Sequence, residues 1–244
     1  MRNYRATVEY DGTDFAGFQL QLNQRTVQGD LEEALFRLTK DMVRVHGAGR
    51  TDSGVHAIGQ VISFKSDTSI PKERISFAMN SVLKPDVRVL SAEETDERFH
   101  ARFSAVSRTY LYLILNRPEP TAVWRRYALH CASPLDIGSM REVENSIIGT
   151  HDFSSWANSI KEANGTVRTV RQFHIRRVHE FVLVHIEANG FLHGMVRNLV
   201  GALLEVGAGK RTPEDIERIT ACKDRRCAGP CAPAYGLCLV KVKY

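Results

Sequence analysis

The stretch FLHGMVRNLVGALLEVG, residues 191–207, constrains the fold more than any other. Its apolar residues recur at helical spacing and fall on almost every side, so a helix here has to be buried rather than laid on a surface. Arg197 sits in the middle of it, with Gly194 three residues before and Gly201 four residues after, on the same face. A guanidinium inside such a helix needs a partner, because leaving it unpaired costs several kcal/mol. Two partners are open to it. It reaches water or backbone carbonyls along its aliphatic stem, or it faces the base of a cleft and pairs with a catalytic acid.

Burying such a helix takes a sizeable core, and 244 residues suffice for one large domain or two small ones. Period-two segments alternate with helical ones. RNYRATVEY (2–10) predicts a strand, and DGTDFAGFQLQLNQR a long polar loop. TVQGDLEEALFRLTK predicts a helix with Thr26 as its N-cap and apolar residues at 27, 31, 34, 35 and 38. MVRVHGAG and GQVISFKS read as strands on either side of a glycine-rich loop. A helix near 71–83 and a strand near 86–96 follow. In RTYLYLIL (108–115), Thr109, Leu111, Leu113 and Leu115 share a face suited to a core, while Arg108, Tyr110, Tyr112 and Ile114 form a partly polar, aromatic one. The second half predicts helices near 135–148, 192–207 and 213–221, strands near 166–178 and 181–189 joined by a tight hairpin, and a closing strand, GLCLVKVKY. The fold class is α+β with a largely antiparallel sheet. The halves are expected at 1–105 and 106–244.

Three stretches carry candidate chemistry. GAGRTDSGVHA (47–57) places one acid, Asp52, among glycines and beside Arg50. Asp-Ser-Gly is a good turn, and an aspartate beside an arginine is commonly a surface ion pair. The other reading is a nucleophile: a carboxylate is ionised at neutral pH and needs no separate base, and glycines let a ligand come close. The second stretch is Arg197 and its helix. The third is RFHARFSAVSR (98–108) running into Tyr110 and Tyr112, in which Arg98, Arg102 and Arg108 alternate with Phe99 and Phe103. The tyrosines are ordinary strand aromatics or a stacking platform for a nucleobase, with the arginines on phosphates.

The net charge of +5 and a pI near 9.0 admit a polyanionic partner without requiring one. No apolar run approaches the roughly 20 residues of a membrane span, and MRNYRATVEYDG lacks the apolar core of a signal peptide. A cytoplasmic protein is expected. The chain has 5 cysteines. Cys222, Cys227 and Cys231 cluster, but their spacing does not suit a zinc site and no histidine lies nearby in sequence. Unbonded cysteines and no metal are expected.

Taken in order, YDGTDFAGFQ, GAGRTDSGVHA, FHARFSAVSRTYLY, FLHGMVRNLVGALLEVG and APAYGLCLVKVKY resemble the tRNA pseudouridine synthase A family, from Tyr10 to Tyr244. The resemblance implies isomerisation of uridine at positions 38, 39 and 40 of the tRNA anticodon stem-loop. It implies two ferredoxin-like α+β halves joined through a central sheet with an RNA-binding cleft, a homodimer, and no cofactor. It makes Asp52 the nucleophile, Arg50 the base-flipping arginine, Tyr110 the contact to the target base, Arg197 the partner of the aspartate, and Leu237 a pocket wall. Arg102 and Arg108 are expected on the RNA. Cys227 and Cys231 depart from the pattern, where residues such as Arg and Thr would be ordinary. Two other readings share these residues: an RNA-binding module that does no chemistry, and a base-releasing glycosidase, which would normally need a second carboxylate.

Overall fold

The computed structural model describes residues 1–160 and 165–244. In chain order the elements are β1 (Arg2–Tyr10), α1 (Val27–Thr39), β2 (His46–Gly47), β3 (His56–Ser66), α2 (Ile75–Val82), β4 (Val87–Thr95), β5 (Ser107–Asn116) and β6 (Leu129–Cys131). There follow α3 (Ile137–Glu142), α4 (Glu144–Ile147), β7 (Gly149–Asp152), β8 (Val167–Val178), β9 (Phe181–Ala188), α5 (Met195–Gly207), α6 (Pro213–Cys222) and β10 (Leu237–Lys243). The chain is mixed α/β and forms two compact units. One is Met1–Arg108 with Cys238–Tyr244, the other Thr109–Leu237. Among the described residues no helix is long and apolar enough to cross a membrane.

In the first unit the strand order is β4-β1-β3-β10, with the short β2 on β3. β1 alternates as its sequence predicts: Tyr4, Ala6, Val8 and Tyr10 are buried, while Arg5, Thr7 and Glu9 are half-buried. It pairs antiparallel with both β3 and β4. α1 starts at Thr26, whose hydroxyl accepts from the Gly29 N–H at 3.2 Å, and buries Val27, Leu31, Ala34 and Leu35. Only two residues of the expected MVRVHGAG strand join the ladder, opposite Ser63 and Ile62. β10 lies parallel to β3, with Cys238 opposite His56 and Leu239 opposite Ala57. The last strand therefore groups with the first unit, although chain order assigns it to the expected 106–244 half. Backbone hydrogen bonding, which is blind to sequence distance, decides this.

In the second unit the order is β5-β9-β8-β7, and β6 runs parallel to β5. β8 and β9 form the expected hairpin, turning at His179 with φ 54°. The helix expected near 135–148 is two pieces. Both are pinned to the edge of β8: Arg141 Nε donates to the Ile175 carbonyl at 3.0 Å, and Glu144 Oε1 accepts the Ile175 N–H at 2.8 Å. α5 is buried along nearly its whole length, as its apolar circumference requires.

Two expectations need correcting. On β5 both faces are core: Tyr110, Tyr112 and Ile114 are buried on one, and Thr109 and Leu115 on the other, where Leu111 and Leu113 are only half-buried. A tyrosine can be buried provided its hydroxyl finds a partner, and that of Tyr112 donates to the Pro233 carbonyl at 2.8 Å. The cysteines are not all unbonded either. Cys222 and Cys227 form a disulfide, and Cys131, Cys231 and Cys238 are free. α6 ends at Lys223 in a left-handed conformation, and the Cys227 N–H then donates to the Asp224 carbonyl at 3.1 Å, which folds the chain back onto the helix end.

Tyr112→Phe keeps the ring and removes only that donor. It is expected to destabilise the protein by about 1 kcal/mol, read as a lower urea midpoint with an unchanged m-value.

Candidate active site

The loop between β2 and β3 carries Arg50 and Asp52, and it is fastened from below by the loop that follows β1. Phe18 N–H donates to the Thr51 carbonyl at 3.0 Å, and Ser53 Oγ donates to the Phe15 carbonyl at 3.0 Å. Val55 N–H closes the turn onto the Asp52 carbonyl at 3.2 Å, with Gly54 at φ 79°. The two loops touch backbone to backbone. A Cβ on Gly12 would lie 2.0 Å from the Val55 oxygen, and one on Gly17 would lie 2.9 Å from the Thr51 oxygen. The sequences YDGTDFAGFQ and GAGRTDSGVHA are thus the two halves of one interlocked structure.

A buried polar network underlies it. Tyr10 Oη and Thr51 Oγ1 are 2.8 Å apart, and Gln60 donates to the Gly49 carbonyl at 2.7 Å. Burial holds the Tyr10 phenol well above its usual range, so it stays a neutral hydrogen-bonding group. His56 Nδ1 accepts the Gly12 N–H at 3.0 Å. Sequence reasoning passed over Tyr10, Gln60 and His56. Their signal was their place inside or beside the quoted motifs, but a single sequence does not show that their side chains turn inward.

Above this base the Asp52 side chain is half-buried and Arg50 is exposed. Partial burial, and then the neighbouring positive charge of Arg102, lower the pKa of the Arg50 guanidinium. Two cations are therefore placed within reach of one another. Arg108 is used differently. It donates to the Ala48 carbonyl through Nε at 3.2 Å and through a terminal nitrogen at 2.9 Å, and also to the carbonyls of Arg102 and Ala105. It ties the loop carrying Arg50 to the turn carrying Arg102.

In the second unit Tyr110 is 7% exposed, and its ring meets Phe191 edge-on at 5.1 Å. Leu237, at the start of β10, is buried. Arg197 is half-buried. Its Nε donates to the Ala232 carbonyl at 2.8 Å, and the Ala232 N–H donates back to the Arg197 carbonyl at 3.0 Å. Backbone carbonyls are thus one of its partners. Gly201 is a glycine because the same segment crosses there: a Cβ would stand 1.9 Å from the Pro230 oxygen. The neighbouring Asn198 is fully buried. It donates to the Trp156 carbonyl at 2.7 Å and to Asn158 Oδ1 at 2.9 Å, and accepts from Arg225 at 2.8 Å. Helix rotation at Arg197 is fixed by these bonds.

The chain matches the family described as tRNA pseudouridine synthase over residues 6–104 and 145–244. It is 46% identical over 242 residues to tRNA pseudouridine synthase A of Bacillus pumilus (strain SAFR-032), covering 98% of each chain. It is 44% identical over 244 residues to tRNA pseudouridine synthase A of Thermoanaerobacter sp. (strain X514), covering 100% of each. With tRNA pseudouridine synthase A 2 of Clostridium perfringens (strain 13 / Type A) it shares 43% identity, again over the whole of both chains.

Gly17→Ala tests the interlock. At φ 115° any side chain is strained, and the added methyl also meets the Thr51 oxygen. A loss of roughly 1–3 kcal/mol of stability is expected, read by urea unfolding.

Proposed function

Because this chain belongs to the tRNA pseudouridine synthase family and is an isomerase of uridine in tRNA, we propose that it acts at positions 38, 39 and 40 of the anticodon stem-loop with Asp52 as nucleophile. One observation carries the residue assignment. The Asp52 loop is immobilised by backbone and buried side-chain bonds, while its carboxylate is only half-buried. An acid held this firmly in a glycine-rich loop is prepared for attack.

A stacked uridine is out of reach until it is extruded, which costs a few kcal/mol. Arg50 fills the vacated space and, with Arg102, holds phosphate. The mutual repulsion of the two guanidiniums is relieved when a phosphate sits near them. Asp52 attacks the flipped nucleotide at ribose C1′ or uracil C6. As the bond from Asp52 forms, the N1–C1′ bond breaks, the uracil turns and C5 bonds to C1′; the bond to Asp52 then breaks and returns the free carboxylate. C5 gives up its proton and N1 gains one, so atoms balance with no redox partner. Tyr110 is the wall on which the freed base stays stacked, and its hydroxyl relays the C5 proton. The resemblance gives Arg197 as the partner of the aspartate and Leu237 as a wall that keeps water from the pocket. The resemblance adds a cytoplasmic homodimer of chains with two ferredoxin-like halves and an RNA-binding cleft. We assign Arg108 the task of holding the Arg102 turn rather than a phosphate, since three carbonyls already engage it.

Incubation with unmodified tRNA followed by digestion to nucleosides is expected to yield pseudouridine and no free uracil. Asp52→Asn is expected to abolish product while retaining tRNA affinity, because phosphate contacts supply most of it. Turnover by a clean Asp52→Asn preparation would remove Asp52 as nucleophile.

The arginines separate by salt dependence. Arg102→Ala is expected to lower the slope of log affinity against log salt by roughly one unit. Arg108→Ala is expected to lower thermal stability and leave that slope nearly unchanged.

A further inference from the structure

In the first unit, residues 100–104 form a turn closed largely by its own groups. Ser104 N–H donates to the His100 carbonyl at 2.9 Å, and the His100 N–H is held by Ser104 Oγ at 3.0 Å. His100 Nδ1 accepts the N–H groups of Arg102 at 3.1 Å and Phe103 at 3.4 Å. Ala101 N–H, buried beneath, donates to Ser63 Oγ at 3.0 Å and so anchors the turn to β3.

This rigid turn displays a row of three rings. His46 and His100 have centroids 4.7 Å apart, and His100 and Phe103 4.4 Å. Phe103 ends the row at 76% exposure, with the Arg102 guanidinium 5.5 Å from its centroid. A large apolar ring held in the open at this exposure gains nothing for the fold. No acid lies between Arg98 and Arg108, the Arg102 guanidinium stands over the ring, and Arg108 ties the loop carrying Arg50 to this turn. A flat apolar face bordered by cations suits a base joined to phosphates better than an apolar protein surface, which would leave the guanidiniums without counter-charge.

We infer that Phe103 is a stacking site for a second, unpaired nucleobase of the tRNA, distinct from the target uridine, with Arg102 and Arg50 on the phosphates beside it. This rests on the tRNA reading above. The tilted rings of His46 and His100 back Phe103 along the surface, and the bonded turn means that little backbone freedom is lost on binding. Stacking needs a π-face but no particular base, so the site strengthens binding without choosing sequence.

The test uses unmodified tRNA, the full-length protein and four substitutions of Phe103. Phe103→Ala and Phe103→Leu are expected to weaken tRNA binding roughly 5- to 150-fold, raising KM while leaving kcat at saturating tRNA near wild type. Phe103→Tyr is expected to bind like wild type. Phe103→Trp is expected to add a fluorescence signal that tRNA quenches beyond the wild-type background. None of the four should alter the salt slope, which separates stacking from the phosphate contact of Arg102. Since Phe103 is exposed, unchanged melting of the variants confirms that the fold is intact. If Phe103→Leu binds tRNA as wild type does, or the introduced indole is not quenched, the inference is overturned and the row is left as a surface for a protein partner. If the wild-type protein forms no pseudouridine in tRNA, it is the function proposed above that fails.

Discussion

The backbone contact between the loop after β1 and the Asp52 loop is what the rest of the first unit serves. Each loop is closed by a short turn of its own, Phe15 N–H onto the Gly12 carbonyl in one and Val55 N–H onto the Asp52 carbonyl in the other, and a loop held by little more than that is mobile. Here each supplies the other's missing partners. Phe18 N–H takes the Thr51 carbonyl, and the Phe15 carbonyl takes the Ser53 hydroxyl. The contact is possible because Gly12 and Gly17 present no Cβ where the other chain passes. β1 and β3 deliver the two loops to the same end of the sheet through their antiparallel register, in which Tyr10 lies opposite Ala57. The buried Tyr10–Thr51 bond then fixes the height at which they meet.

The second unit solves a different problem by similar means. A cation in a buried helix needs its position fixed. The segment 230–232 lies against α5 at Gly201, and Ala232 exchanges two hydrogen bonds with Arg197. Asn198, one residue on, is gripped by Trp156, Asn158 and Arg225. The closed bonding matters because a half-satisfied buried polar group is costly. Arg225 itself belongs to the stretch between Cys222 and Cys227, whose disulfide closes that turn. Cys231 thus lies within the backbone that crosses α5, and Cys227 closes the turn just before it.

Arginine roles show how far local chemistry carries. Arg102 and Arg108 are six residues apart in a stretch with no acid between them. By sequence they are equivalent candidates for phosphate. In the fold, Arg102 is exposed beside a phenylalanine ring, while Arg108 turns back onto three carbonyls. A guanidinium with five donors serves either purpose, and what decides is whether carbonyls stand within reach.

Much of the molecule was legible because it is written in short-range periodicity. The strand at 2–10, the helix from Thr26, the hairpin at 178–181 and the buried helix around Arg197 follow from patterns that repeat within a few residues, and the five motifs identified the family. Patterns of that kind do not say which side faces in. On β5 the alternation was plain, yet only packing put Tyr112 in the core, where the Pro233 carbonyl, 121 residues away, satisfies its hydroxyl. The break between α3 and α4, the pairing of Cys222 with Cys227, and the return of β10 to β3 share that cause. Sequence by itself determined what each segment can be, because propensity and periodicity are local. The tertiary structure alone decided what each segment bonds to, because a hydrogen-bonding group takes whichever partner the fold brings within about 3 Å.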